Sequence, residues 1–155
     1  MTPLPVPRAA LLLGLSGLIP FVGGTALVFL PMGTIPLFGI IESSPAGGFW
    51  LLERYGAAIL AFMGGCLWGF AVTGERQAPP VLLALTTVPA LIAVFGLGPT
   101  PMASLWTLGM GLGLLLMLDA VFVFQRLAPG WWLWLRIPLT LVAVPSLVIS
   151  HLAGT

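Results

Sequence analysis

An aspartate inside an apolar run is the first feature of this 155-residue sequence that could do chemistry. Asp119 stands within LLLMLDAVFVF, residues 114–124, where a charge costs at least ~2.5 kcal/mol unless it is paired or meets water. Two arginines follow it. Arg126 is seven residues on, on the same helical face but about 10 Å away along the axis. Arg136 comes closer if Leu127–Gly130 turns a helical hairpin, because the two residues then lie at similar depths on adjacent antiparallel helices. A buried Asp119–Arg136 ion pair is expected, with Arg126 as the further basic residue of the cluster. Such a pair can be an electrostatic staple that sets the register of the hairpin, or a relay for a proton or an ion.

Other reactive side chains are sparse. Cys66 has no basic or histidine neighbour in sequence to make it a thiolate, and reads as a small packing residue. His151 is a lone histidine near the end of an apolar run, and one histidine is no metal site. The glycines at 109, 111 and 113 follow no strand, so a phosphate loop is a poor reading; Gly109 and Gly113 suit a close helix contact. No Ser-His-Asp set, zinc spacing or pair of carboxylates within one apolar run is present. Neither catalysis, nor a cofactor, nor a metal is expected.

The elements that must position these residues are membrane helices. The chain is 59% hydrophobic and 6% charged, with a mean hydropathy of +1.16. Soluble domains keep about a quarter of their residues charged. Five arginines, no lysine and four acids leave no basic cluster for a nucleic-acid backbone. The fold class expected is all-α: one polytopic transmembrane domain, a five-helix bundle with spans at about 9–30, 55–72, 81–97, 102–124 and 131–151. Pro20 and Pro89 should interrupt the first and third spans, and Pro138 and Pro145 lie within the fifth. Residues 31–53 read as an interfacial connection, marked by the turn signal Ser43-Ser44-Pro45.

Within the second span, YGAAILAFMGGCLWG from Tyr55 to Gly69 places Ala57, Ala61, Gly65 and Gly69 four residues apart. That spacing stacks them into one smooth ridge, beside Gly64, which another helix could approach closely. Arginines near span ends set the orientation. Arg8, Arg76, Arg126 and Arg136 collect on one side and Arg54 on the other, which puts the N terminus in the cytoplasm and the C terminus across the membrane. Trp131, Trp132 and Trp134 then form an interface anchor on the cytoplasmic side, with Trp50 and Tyr55 at the opposite interface. Arginine without lysine, with abundant Ala, Gly and Pro, suggests a bacterial inner-membrane protein.

Three stretches carry a resemblance: GLSGLIPF (Gly14–Phe21) together with Arg8, YGAAILAFMGGCLWG, and LDAVFVFQRLAPGWWLWLRIPLT (Leu118–Thr140). In these the chain resembles the family of small uncharacterised membrane proteins that includes transmembrane protein 69 of mitochondria. The matching positions are Tyr55, Gly64, Gly65, Trp68, Gly69, Asp119, Arg126 and Arg136. The family motif usually has histidine where Leu67 stands here, so a histidine-dependent role is not expected to carry over. The resemblance implies a membrane protein and no established activity.

Two functions are consistent with these residues. One is a non-catalytic accessory or assembly subunit that meets a larger inner-membrane complex, such as an energy-converting one, through its helices and lipids. The other is a small carrier or a lipid- or quinone-binding protein that uses the buried Asp119 and Arg136.

Overall fold

The computed structural model describes residues 5–30, 36–37, 41–42, 44–74 and 77–154. Seven helical pieces make up the bundle: α1 (Arg8–Ser16), α2 (Ile19–Phe29), α3 (Pro45–Thr73), α4 (Pro80–Leu85), α5 (Val88–Phe95), α6 (Pro101–Phe124) and α7 (Trp132–Gly154). Between α2 and α3 a two-residue antiparallel ladder joins β1 (Pro36–Leu37) to β2 (Ile41–Glu42), in the register Pro36 to Glu42 and Leu37 to Ile41. The rest of 31–43, together with Glu75 and Arg76 of the orientation argument, lies outside the described residues.

Among the described residues, four segments are long and apolar enough to cross a membrane: Arg8–Phe29, Pro45–Thr73, Pro101–Phe124 and Trp132–Gly154. The fifth, Pro80–Phe95, is apolar but shorter. At about 1.5 Å per residue it falls short of a ~30 Å hydrocarbon layer. Proline accounts for both interrupted segments. Pro20 supplies no N–H to the turn before it, and the helix breaks at Gly17–Leu18, where the Tyr55 hydroxyl of α3 donates to the Gly17 carbonyl at 2.9 Å. Pro89 does the same between α4 and α5, where the Thr86 and Thr87 hydroxyls donate to the carbonyls of Leu83 and Ala84. Pro138 and Pro145 are accommodated within a continuous α7.

The second span begins ten residues earlier than its hydropathy suggests. Ser44 is an N-cap whose hydroxyl accepts the Gly47 N–H at 3.1 Å, and Pro45 follows at the first helical position. The Ser-Pro pair that reads as a turn is therefore a helix start, and Pro45–Glu53 belongs to α3 and not to an interfacial connection. Tyr55 consequently sits inside the span, half-buried, and does not mark an interface.

Contacts between the long helices fix their directions. Phe21 meets Tyr55 and Gly24 abuts Leu52, so α2 and α3 are antiparallel. Gly56 faces Leu108 and Gly111 faces Leu60, which makes α3 and α6 parallel. Asp119 meets Arg136 while Gly109 faces Leu147 and Val148, so α6 and α7 are antiparallel. The start of α1 and the α6–α7 turn accordingly share one side of the bundle, and the C-terminal end of α7 lies on the other.

The core runs along α3 through Gly48, Leu52, Gly56, Leu60 and Gly64, all buried. Each glycine receives a neighbour: a Cβ on Gly48 would lie 2.7 Å from the Gly24 carbonyl, and one on Gly64 would lie 2.8 Å from that of Thr86. The packed ridge is thus displaced from the expected one. Ala57 and Ala61 are half-buried, Gly65 is exposed, and among the described residues no other part of the bundle comes within 4 Å of a Cβ built on Gly65, Gly69 or Gly113. Of the glycines expected to pack, Gly64 does so tightly and Gly109 in ordinary contact, with Val148 Cγ2 at 3.6 Å. Every face of this helix is apolar, so hydropathy gave no phase to distinguish adjacent rows.

Candidate functional site: a buried ion pair beside an apolar cavity

The turn between α6 and α7 builds the site. At the end of α6, the Leu127 N–H donates to the Phe122 carbonyl at 2.8 Å and the Arg126 N–H to that of Val123 at 3.0 Å. This 6→1 and 5→2 pattern is a Schellman cap, and Arg126 fills its left-handed position with φ 60° in place of the usual glycine. The cap turns the Arg126 side chain outwards, where it is exposed and makes no ion pair among the described residues. Arg126 is therefore no part of a buried cluster. Leu127 and Ala128 are buried under the turn and α7 starts at Trp132.

Across this hairpin Asp119, wholly buried, accepts from two donors on α7. Arg136 Nε donates to Oδ2 at 2.8 Å, and Trp132 Nε1 donates to Oδ1 at 2.6 Å. The indole of Trp132 is itself fixed by edge-on contacts with Phe70 of α3, centroids 5.0 Å apart, and with Trp131 at 5.9 Å. Trp132 is thus an internal hydrogen-bond donor and not an interface anchor; Trp134, 67% exposed, alone of the three points fully outwards. Both carboxylate oxygens are satisfied and the charge is matched, so the cost of burying Asp119 is offset within the hairpin.

The arginine is not fully satisfied. Its side chain is 4% exposed, Nη2 is wholly buried without a hydrogen-bond partner, and the guanidinium makes no bond beyond that of Nε among the described residues. Arg136 lines a cavity of about 350 Å³ between α1, α3 and α7, to which Phe21 of α2 and Leu112 of α6 also contribute. Its walls are otherwise almost entirely apolar, with Phe21, Met63 and Leu135 among them, and Cys66 is a further lining residue. Gly14 and Gly17 keep α1 backbone at the cavity edge, and Leu135 and Leu139 pack against Gly14. Thr140, one turn beyond Arg136 on the same face of α7, and Tyr55 of α3 are the other polar side chains of the lining; the Tyr55 hydroxyl donates to the Gly17 carbonyl, whereas that of Thr140 makes no hydrogen bond among the described residues. Leu13 of α1 and Phe62 of α3 line the cavity and are exposed on the outer surface, so it opens sideways between those two helices.

A second acid is buried at the opposite end of the bundle. Glu53, within α3, accepts from Ser104 Oγ of α6 at 2.6 Å. Hydropathy alone placed Glu53 in a connection; the cap formed by Ser44 and Pro45 is the signal that puts it inside a span. Its neighbour Arg54 is exposed and stacks over Trp50 at 6.0 Å. His151 Nδ1 hydrogen-bonds the Met102 carbonyl at 3.0 Å, and no group of three or more potential metal ligands occurs among the described residues. Trp68 is partly exposed on the outer face of α3, and Leu67, where the family motif has histidine, is fully buried.

No solved structure matches the chain. It is 38% identical over 150 residues to transmembrane protein 69 of Xenopus tropicalis, covering 93% of this chain and 54% of that protein. To the Mus musculus protein of the same name it is 32% identical over 148 residues, covering 93% and 56%. The chain thus spans little more than half the length of these relatives. Residues 6–152 match the family described as a protein of unknown function, DUF3429. With nearly the whole chain covered by that match, and with four membrane-length helices and a shorter one built around the Asp119–Arg136 hairpin, this is a membrane protein of the DUF3429 family.

Proposed function

We propose that the protein is a non-catalytic membrane protein that holds an apolar molecule, of the lipid or quinone class, in the cavity between α1, α3 and α7, with Arg136 as its polar contact. The observation that carries this reading is an apolar cavity of about 350 Å³ with Arg136 among its few polar lining residues, the Nη2 of that arginine being buried behind the wall without a partner. A buried donor left unpaired costs about 1–3 kcal/mol, and more when charged, so a turn of the guanidinium towards an acceptor on a bound molecule would relieve it. The volume falls within the ~300–1,000 Å³ of small-molecule sites, and one polar contact in an apolar pocket is their usual composition. The test is extraction of protein purified in mild detergent, followed by mass spectrometry. A stoichiometric apolar compound in the wild type that is lost in Cys66→Phe, which fills the cavity, supports the reading; a clean wild-type extract sinks it.

A second reading, an accessory subunit of a larger membrane complex, has its own observation. Gly65 and Gly69 leave a strip of α3 backbone uncovered, flanked by the exposed Phe62, Trp68 and Val72. Small residues of this kind permit close helix approach in lipid. Co-migration with a large complex on native gels, abolished by Gly65→Leu, would favour it. The orientation with the N terminus cytoplasmic rests on Arg8, Arg126 and Arg136 sharing one side, and the bacterial inner membrane on composition alone.

A further inference from the structure

Resting on that cavity, we infer that the polar end of the bound molecule is an uncharged carbonyl, as in a quinone or a fatty ester, and not a carboxylate or phosphate. The charge balance of the hairpin carries the inference. The positive charge of Arg136 is already matched by Asp119 at 2.8 Å, and both oxygens of that carboxylate are occupied, one by Arg136 and one by Trp132. The pair is neutral as a unit. An anionic head would bring a net negative charge into a site walled by apolar side chains, where no further cation meets it among the cavity's residues. A neutral carbonyl brings only lone pairs, and the guanidinium of Arg136, whose Nη2 lacks an acceptor, has only to turn towards the cavity to donate to it.

The disposition of groups fits the same chemistry. Arg136 and Thr140 stand one turn apart on α7, so the two donors on the cavity wall are spaced for a head with more than one oxygen. The sideways opening between Leu13 and Phe62 leaves an exit for an apolar tail into the acyl chains. Cys66 and Met63 face the bound molecule from α3 and offer it only polarizable, weakly polar surface.

The experiment is native mass spectrometry of delipidated protein in dodecyl maltoside at pH 8, a detergent without carbonyl groups. Three probes are titrated: decyl-benzoquinone, methyl oleate and oleate. At least one neutral probe should bind ten-fold or more tighter than oleate, and Thr140→Val should weaken it several-fold. Asp119→Asn, which keeps an oxygen for hydrogen bonding but leaves Arg136 unneutralised, should reverse the order in favour of oleate. Binding by the quinone alone identifies a quinone as the source of the carbonyl, binding by the ester alone identifies a neutral fatty ester, and binding by both shows that an uncharged carbonyl of either source is accepted. Oleate binding more tightly than its methyl ester in the wild type overturns the uncharged head while leaving the cavity reading intact. Binding of every probe unchanged in Cys66→Phe, or of none in the wild type, overturns the cavity reading itself.

Discussion

Trp132 Nε1 and Asp119 Oδ1 lie 2.6 Å apart, on the opposite carboxylate oxygen from Arg136, so the tryptophan and not a second arginine completes the pairing of the buried acid. Trp132→Phe keeps a ring against Phe70 and Trp131 but leaves Oδ1 without its donor. A loss of about 1–3 kcal/mol is expected, measured by reversible denaturant titration in micelles. A variant as stable as the wild type would show that the indole serves as packing alone.

The ion pair predicts a non-additive pair of variants. Arg136→Leu strands a wholly buried carboxylate and should cost about 3–5 kcal/mol, whereas Asp119→Leu with Arg136→Leu should cost distinctly less. Unfolding curves for the two variants decide the matter, and equal stability would contradict the pairing.

Arg126 occupies the left-handed position of a Schellman cap, a conformation that costs a non-glycine residue roughly 1–2 kcal/mol. Arg126→Gly should therefore stabilise the protein by about 1 kcal/mol. Were Arg126 a member of the buried charge cluster, the same change would destabilise it.

Two adjacent glycines on α3 should respond oppositely. A methyl group on Gly64 would meet the Thr86 carbonyl at 2.8 Å and Pro89 Cβ at 3.0 Å, so Gly64→Ala should cost about 1–3 kcal/mol. Gly65 faces open space, and Gly65→Ala should be neutral or stabilising by up to about 1 kcal/mol in the isolated chain. Thermal aggregation midpoints of both variants in one detergent make the comparison.

These positions also mark how far the amino-acid sequence could be read. Asp119 and Arg136 could be paired in advance because a lone acid in lipid demands a partner and Leu127–Gly130 is too short to be anything but a turn. The row Ala57, Ala61, Gly65, Gly69 was no less regular than the row Gly48, Leu52, Gly56, Leu60, Gly64 that is buried. When every face is apolar, periodicity reveals a helix but not which side it turns inwards. Glu53 escaped notice for a related reason: hydropathy starts the span at Tyr55, and only the Ser44 cap shows that α3 begins at Pro45. The cavity had no signature at all. It arises where the break at Gly17–Leu18 and the distance between α1 and α3 leave a gap, which is a property of three helices together.

The bond between Asp119 and Arg136 also bears on how the chain enters its membrane. During synthesis α6 emerges first, carrying a carboxylate whose matching charge lies seventeen residues behind, on a helix that has not yet left the ribosome. Partition of α6 into lipid is therefore opposed until α7 arrives, and the two are best inserted as one hairpin, with neutralisation preceding burial.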